Sequence, residues 1–73
     1  MPRKLRELRA DLRRAGFVLH RTRGSHTMWK HPLLRGIGAV LAGQDSAGAK
    51  QYQEDEVRRA LEAAREIEGR QHP

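Results

Sequence analysis

Two apolar stripes of helical period sit at opposite ends of this 73-residue chain, and neither can be buried alone. Near the start, Leu5, Leu8, Leu12 and Ala15 recur at spacings of three and four, which predicts an amphipathic helix over residues 3–15 with Pro2 near its start. Gly16 is placed to stop it. Towards the other end, Val57, Ala60, Leu61, Ala64 and Ile67 predict a second helix from about Gln53. Its first turn carries Glu54, Asp55 and Glu56, anions suited to the positive helix end, and Glu54–Arg58 and Asp55–Arg59 are supporting pairs.

Turn residues divide the middle into three strand candidates, Phe17–Arg21, Ser25–Lys30 and Ile37–Ala42. Proline has no N–H to donate, so His31-Pro32 is expected to interrupt pairing, with Leu33–Gly36 as the next turn. Gly36 and Gly38 signal a bulge or a close backbone approach, and residues 43–51 a polar loop. The order α-β-β-β-α predicts an α+β fold: a three-stranded antiparallel sheet with both helices on one face, so that both stripes share one core. That arrangement is similar to the double-stranded-RNA-binding domain. Residues 1–73 are expected to form one domain, with 69–73 a frayed tail.

A domain this small buries only about 60% of its unfolded surface, so its stability margin is thin. Without cysteine it has neither disulfides nor thiolate metal ligands. No apolar run approaches the roughly 20 residues of a membrane span, and the first residues lack a signal-peptide core. The expectation is a soluble, cytoplasmic protein. Charge is unevenly spread: residues 1–36 hold ten Lys or Arg against Glu7 and Asp11, whereas residues 37–73 hold five against seven acids. A basic half of this kind favours a polyanionic partner.

Within that half lies Arg21-Thr22-Arg23-Gly24-Ser25-His26, a glycine turn that delivers one histidine to the start of a strand. Histidine as a class titrates near neutrality and serves as a general base; adjacent cations stabilise a phosphorane. With Thr22-Arg23-Gly24 as the loop, His20 opposes His26 and two imidazoles form a base and a candidate secondary acid. With Arg23-Gly24 as the loop, Arg21 opposes His26 instead. Arg21, Arg23 and Lys30 are candidate phosphate ligands, and Gly24 and Ser25 candidate hydrogen-bond donors. Lys50 either touches phosphate or belongs to a plain connector. Trp29 is either core or an exposed base-stacking platform. The histidines lack a metal-ligand spacing, so no metal is expected; His31 before Pro32 reads as structural, and His72 lies in the tail. Ser25-His26 is no hydrolase dyad, since neighbours on a strand point to opposite faces.

From Gly16-Phe17 through Gly24-Ser25-His26, Trp29 and Lys30 to His31-Pro32, the chain resembles the HicA toxins of bacterial toxin–antitoxin pairs. The resemblance spans nearly the whole chain. It implies an mRNA-cleaving endoribonuclease that uses neither metal nor cofactor, with His26 at the position of the catalytic histidine. It also implies a HicB-like antitoxin that covers the active site, and DNA contact only through the antitoxin complex, if at all. Many family members carry a proline and a histidine near the end of the third strand, where this chain has Val40-Leu41-Ala42-Gly43-Gln44-Asp45, as in a variant branch. A non-catalytic RNA-binding module on the same basic face is the alternative. A subunit whose basic helix binds an acidic protein is a third reading. Cleavage requires His26; the binding readings require only the cations.

Overall fold

The leucine stripe folds as expected. In the computed structural model, which describes residues 3–71 and side chains as far as residue 67, α1 spans Leu5–Arg14 and buries Leu5, Leu8 and Leu12. Gly16, with φ +94°, terminates it: the Gly16 N–H donates to the Arg13 carbonyl and the Phe17 N–H to the Leu12 carbonyl, both at 3.0 Å. That pair of bonds is a Schellman motif, and the side chains it brings together, Leu12 and Phe17, both enter the core.

Three strands follow: β1 (Val18–Arg23), β2 (His26–His31) and β3 (Leu34–Ala42). They form an antiparallel sheet in the order β1-β2-β3, and α2 (Gln51–Gln71) packs beside α1 on one face of it. Trp29, Ala39 and Leu41 line that face and meet Leu5, Leu8 and Leu12 of α1 and Val57, Ala60 and Ala64 of α2. The shared core is what the two apolar stripes require. Helix α2 continues two residues beyond Gly69, the start of the expected frayed tail; His72 and Pro73 lie outside the described residues.

The strands differ from expectation at their turns. Pairing survives Pro32: His31 pairs with Leu34 across a Pro32-Leu33 turn, because the proline sits at a loop position where no ladder bond is needed. Arg35, Gly36 and Ile37 then bulge out before Gly38 rejoins Lys30, and Gly36 takes φ +77°. Gly38 approaches the Trp29 carbonyl so closely that a Cβ there would collide with it. Both glycine signals are thereby accounted for. The free edge of β3 is covered where the Val40 N–H donates to Glu56 Oε1 of α2 at 3.0 Å.

The segment 43–50 is pinned rather than loose. α1 has no side-chain N-cap, and its first amides donate to this loop instead: Leu5 N–H to the Ala47 carbonyl at 2.9 Å and Arg6 N–H to the Asp45 carbonyl at 3.1 Å. Gln53 fastens the start of α2, accepting from Lys50 N–H at 2.8 Å and donating to the Ala42 carbonyl at 3.0 Å.

Candidate active site

His26 is the first residue of the central strand, delivered there by a two-residue turn. Gly24 has φ +60° and Ser25 a negative φ, the pattern of a type II′ turn, whose twist matches that of the strands it joins. The cross-strand partner of His26 is therefore Arg23, neither His20 nor Arg21 as the longer or shifted loops imply. The difference in length is absorbed upstream: Leu19 pairs with Trp29 and Arg21 with Met28, leaving His20 as an extra residue in a bulge.

Parity places these side chains. Trp29 is buried against the helices and Thr27 is bonded on the same side, so His26, Met28 and Lys30 project from the opposite, open face. Arg23 and Arg21 pair with His26 and Met28 and share that face. The bulge brings His20 to it as well, since Leu19 before it shares the face of Trp29. Direct cross-strand neighbours have Cβ atoms about 4.5–5.5 Å apart, and diagonal ones about 7–8 Å. Arg23 thus lies within contact range of the imidazole, and Arg21 within reach of its long side chain. Lys30 is four residues along the strand, about 13 Å away at about 3.3 Å per residue, too far to share one phosphate with His26. Lys50 is exposed at the start of α2, anchored through Gln53 to Ala42, which pairs with His26.

The remaining candidates separate cleanly. Trp29 is core at 2% exposure, its Nε1–H donating to Thr27 Oγ1 at 3.0 Å and the Arg13 guanidinium 5.2 Å from its ring centroid. It is no stacking platform. His31 faces inward: Nε2–H donates to the Ala15 carbonyl and Nδ1 accepts from Leu33 N–H, each at 3.1 Å, while the ring meets Phe17 edge-on at 5.0 Å. Among the described residues no helix is long and apolar enough to cross a membrane.

Residues 5–64, from the first turn of α1 through most of α2 and including the whole hairpin, match the family model described as the HicA toxin of bacterial toxin–antitoxin systems. The chain belongs to the HicA toxin family. HicA membership makes it the toxin partner of such a pair, with a cognate antitoxin. No curated protein and no solved structure matches the chain. In this HicA chain the site has one support that the spacing of basic residues does not single out: Arg9, which is 7% exposed. The signal lies in the helical stripe itself, because positions 5, 8, 9 and 12 together make a full buried helix face and Arg9 occupies one of them.

Proposed function

We propose that this toxin is a metal-independent endoribonuclease that cleaves mRNA, with His26 as its catalytic residue. The observation that carries the reading is the exposed His26 imidazole on the open sheet face with Arg23 directly across from it and Arg21 on the diagonal. His26 accepts the proton of a 2′-hydroxyl as that oxygen attacks the adjacent phosphorus. The bond from phosphorus to the 5′-oxygen breaks, and the leaving oxygen takes a proton from solvent or from His20, the candidate secondary acid on the same face. The products are a 2′,3′-cyclic phosphate and a 5′-hydroxyl. Arg21 and Arg23 hold the reacting phosphate, with the Gly24-Ser25 turn as a source of hydrogen-bond donors. Lys30, distant from the imidazole along β2, takes a neighbouring phosphate, and Lys50, exposed at the start of α2, takes another.

The same face carries exposed Val18, Met28 and Val40 between its cations. Apolar groups contribute little to phosphate binding, and they suit a HicB-like antitoxin that presents acidic side chains around an apolar centre. An mRNA substrate and an antitoxin partner would put the reaction in the cytoplasm, with any DNA contact made through the complex.

The test is gel analysis of a defined RNA with antitoxin-free protein. Wild type cleaves in EDTA, and a 2′-deoxy substitution at the scissile nucleotide blocks it. Undiminished cleavage by His26→Ala would falsify the assignment. Folded wild type that binds but never cuts varied RNAs would favour the binding module.

A further inference from the structure

The side of the sheet opposite His26 holds a buried cation with an unusual set of acceptors. Arg9 Nε donates to Thr27 Oγ1 at 3.2 Å, and Nη1 to Asp45 Oδ1 at 2.5 Å. The two N–H of Nη2 reach three carbonyls, those of Ser25 at 3.2 Å, Leu41 at 3.3 Å and Gly43 at 2.7 Å, one hydrogen being shared. Ser25 and Thr27 are the residues on either side of His26. The Ser25 carbonyl also accepts the Gly43 N–H at 3.3 Å, and the Thr27 hydroxyl donates to the Leu41 carbonyl at 3.1 Å. One guanidinium therefore ties both chain neighbours of His26 to the end of β3 and the loop beyond it.

The chemistry of the fork explains why an arginine occupies a core position. A buried charge is costly unless its hydrogen bonds are met, and an apolar residue would fill the same space without that cost. A planar fork serves a hydroxyl, three carbonyls and a carboxylate from one point, with one Nη2 hydrogen shared between carbonyls; an ammonium lacks the fork. Asp45, whose side chain is 71% exposed, closes the outer end and neutralises the charge. A two-residue turn at the free end of a hairpin has no packing of its own to hold it, and Gly24 adds backbone freedom.

We infer that Arg9 is a positioning residue for His26: its guanidinium clamps the Gly24-Ser25 turn and Thr27 to the loop after β3, fixing where the imidazole stands relative to Arg21 and Arg23. The inference rests on the reading of His26 as the catalytic residue, but the clamp can be measured without RNA. Proton transfer and in-line attack require near-contact geometry, so a loosened turn lowers the chemical step more than it lowers RNA binding.

The experiment compares wild type, Arg9→Lys and Asp45→Asn, each antitoxin-free. It measures amide hydrogen exchange at His26 and Gly43, whose N–H donates to the Ser25 carbonyl, together with RNA affinity, and kcat separately from KM. Arg9→Lys is expected to keep the fold and the RNA affinity, to speed exchange at those two amides, and to lower kcat about 10- to 100-fold. Asp45→Asn, which keeps the guanidinium, is expected to lower kcat about threefold, a partial loss of the same placement. Wild-type kcat in Arg9→Lys overturns the inference, whether or not the turn loosens. Should Arg9→Lys fail to fold, wild-type kcat in Asp45→Asn overturns it instead. If wild type itself cuts no RNA while Arg9→Lys still speeds exchange at the turn, the assignment of His26 fails and the clamp stands as the anchor of the hairpin.

Discussion

The two ends of β2 each carry a histidine, and the fold treats them in opposite ways. His26 and His31 are five residues apart, an odd number, so the pleat sends them to opposite faces. His26 emerges on the open face beside Arg23. His31 turns under the sheet, spends both ring nitrogens on backbone partners and packs against Phe17. A satisfied imidazole fixed in one tautomer serves structure, whereas an exposed one beside cations is available to a substrate. Residue type alone does not separate these roles; the parity of the strand does.

The largest effect expected from breaking this contrast is on chemistry. His26→Ala should lower RNA cleavage by about 10²–10⁴ while leaving the melting temperature almost unchanged, because the side chain is exposed. His31→Ala should do the reverse. Losing two side-chain–backbone bonds and the edge contact with Phe17 should cost about 2–3 kcal/mol in a denaturant titration, with cleavage per folded molecule preserved. If His31→Ala abolishes cleavage in fully folded protein, the division of roles fails.

Gly16→Ala probes the His31 end from the helix side. Gly16 holds φ +94°, and a Cβ there would stand 3.0 Å from His31 Nε2. A loss of about 1–2 kcal/mol is expected, seen as a melting temperature lower by about 4–8 °C per kcal/mol. A variant as stable as wild type would show that the motif and its histidine are not coupled.

Distances along the sheet sharpen the other end. Arg21→Ala, Arg23→Ala and Lys30→Ala should each flatten the salt dependence of RNA binding by about 0.7 in log–log slope, one phosphate contact apiece. Only Arg21→Ala and Arg23→Ala should also lower kcat, since Lys30 stands about 13 Å from His26 along β2. An equal loss of kcat in Lys30→Ala would mean that the RNA path runs differently across the face.

The smallest effect lies away from both histidines. Burial of Asp11 by itself raises its pKa, but hydrogen bonds and attraction from Arg3, at 2.6 Å, and from Arg14 outweigh burial and hold it below the ordinary carboxylate value. Its contribution to stability is therefore complete above the unfolded-state pKa, near 4 for aspartate, and is lost as pH falls through the lower folded-state value. Asp11→Asn should remove that acid-dependent part, less than about 1 kcal/mol for a pair open to solvent on one side. Urea titrations across that acid range check it, and neither cleavage at neutral pH nor the His31 contacts should change.

Local chemistry made much of this molecule legible in the sequence. The leucine spacing marks α1, Gly16 ends it, the second stripe marks α2, and Gly24 delivers His26 to the start of a strand. These signals act within a few residues, because helical period, left-handed glycine conformations and turn geometry are short-range properties. What stands opposite His26 was beyond that range. Arg23 rather than His20 or Arg21 faces it because the twist of the paired strands selects a two-residue turn and pushes the surplus residue into a bulge at His20. Trp29 and Met28 alternate as equals in the sequence, and only the helices packed on one face decide that Trp29 is core. Arg9 is one more arginine in a basic helix until the ends of β2 and β3 bring five acceptors to it from residues 16 to 36 positions away. A buried ion is stable only where distant parts of the chain satisfy it together, which is a property of the assembled fold.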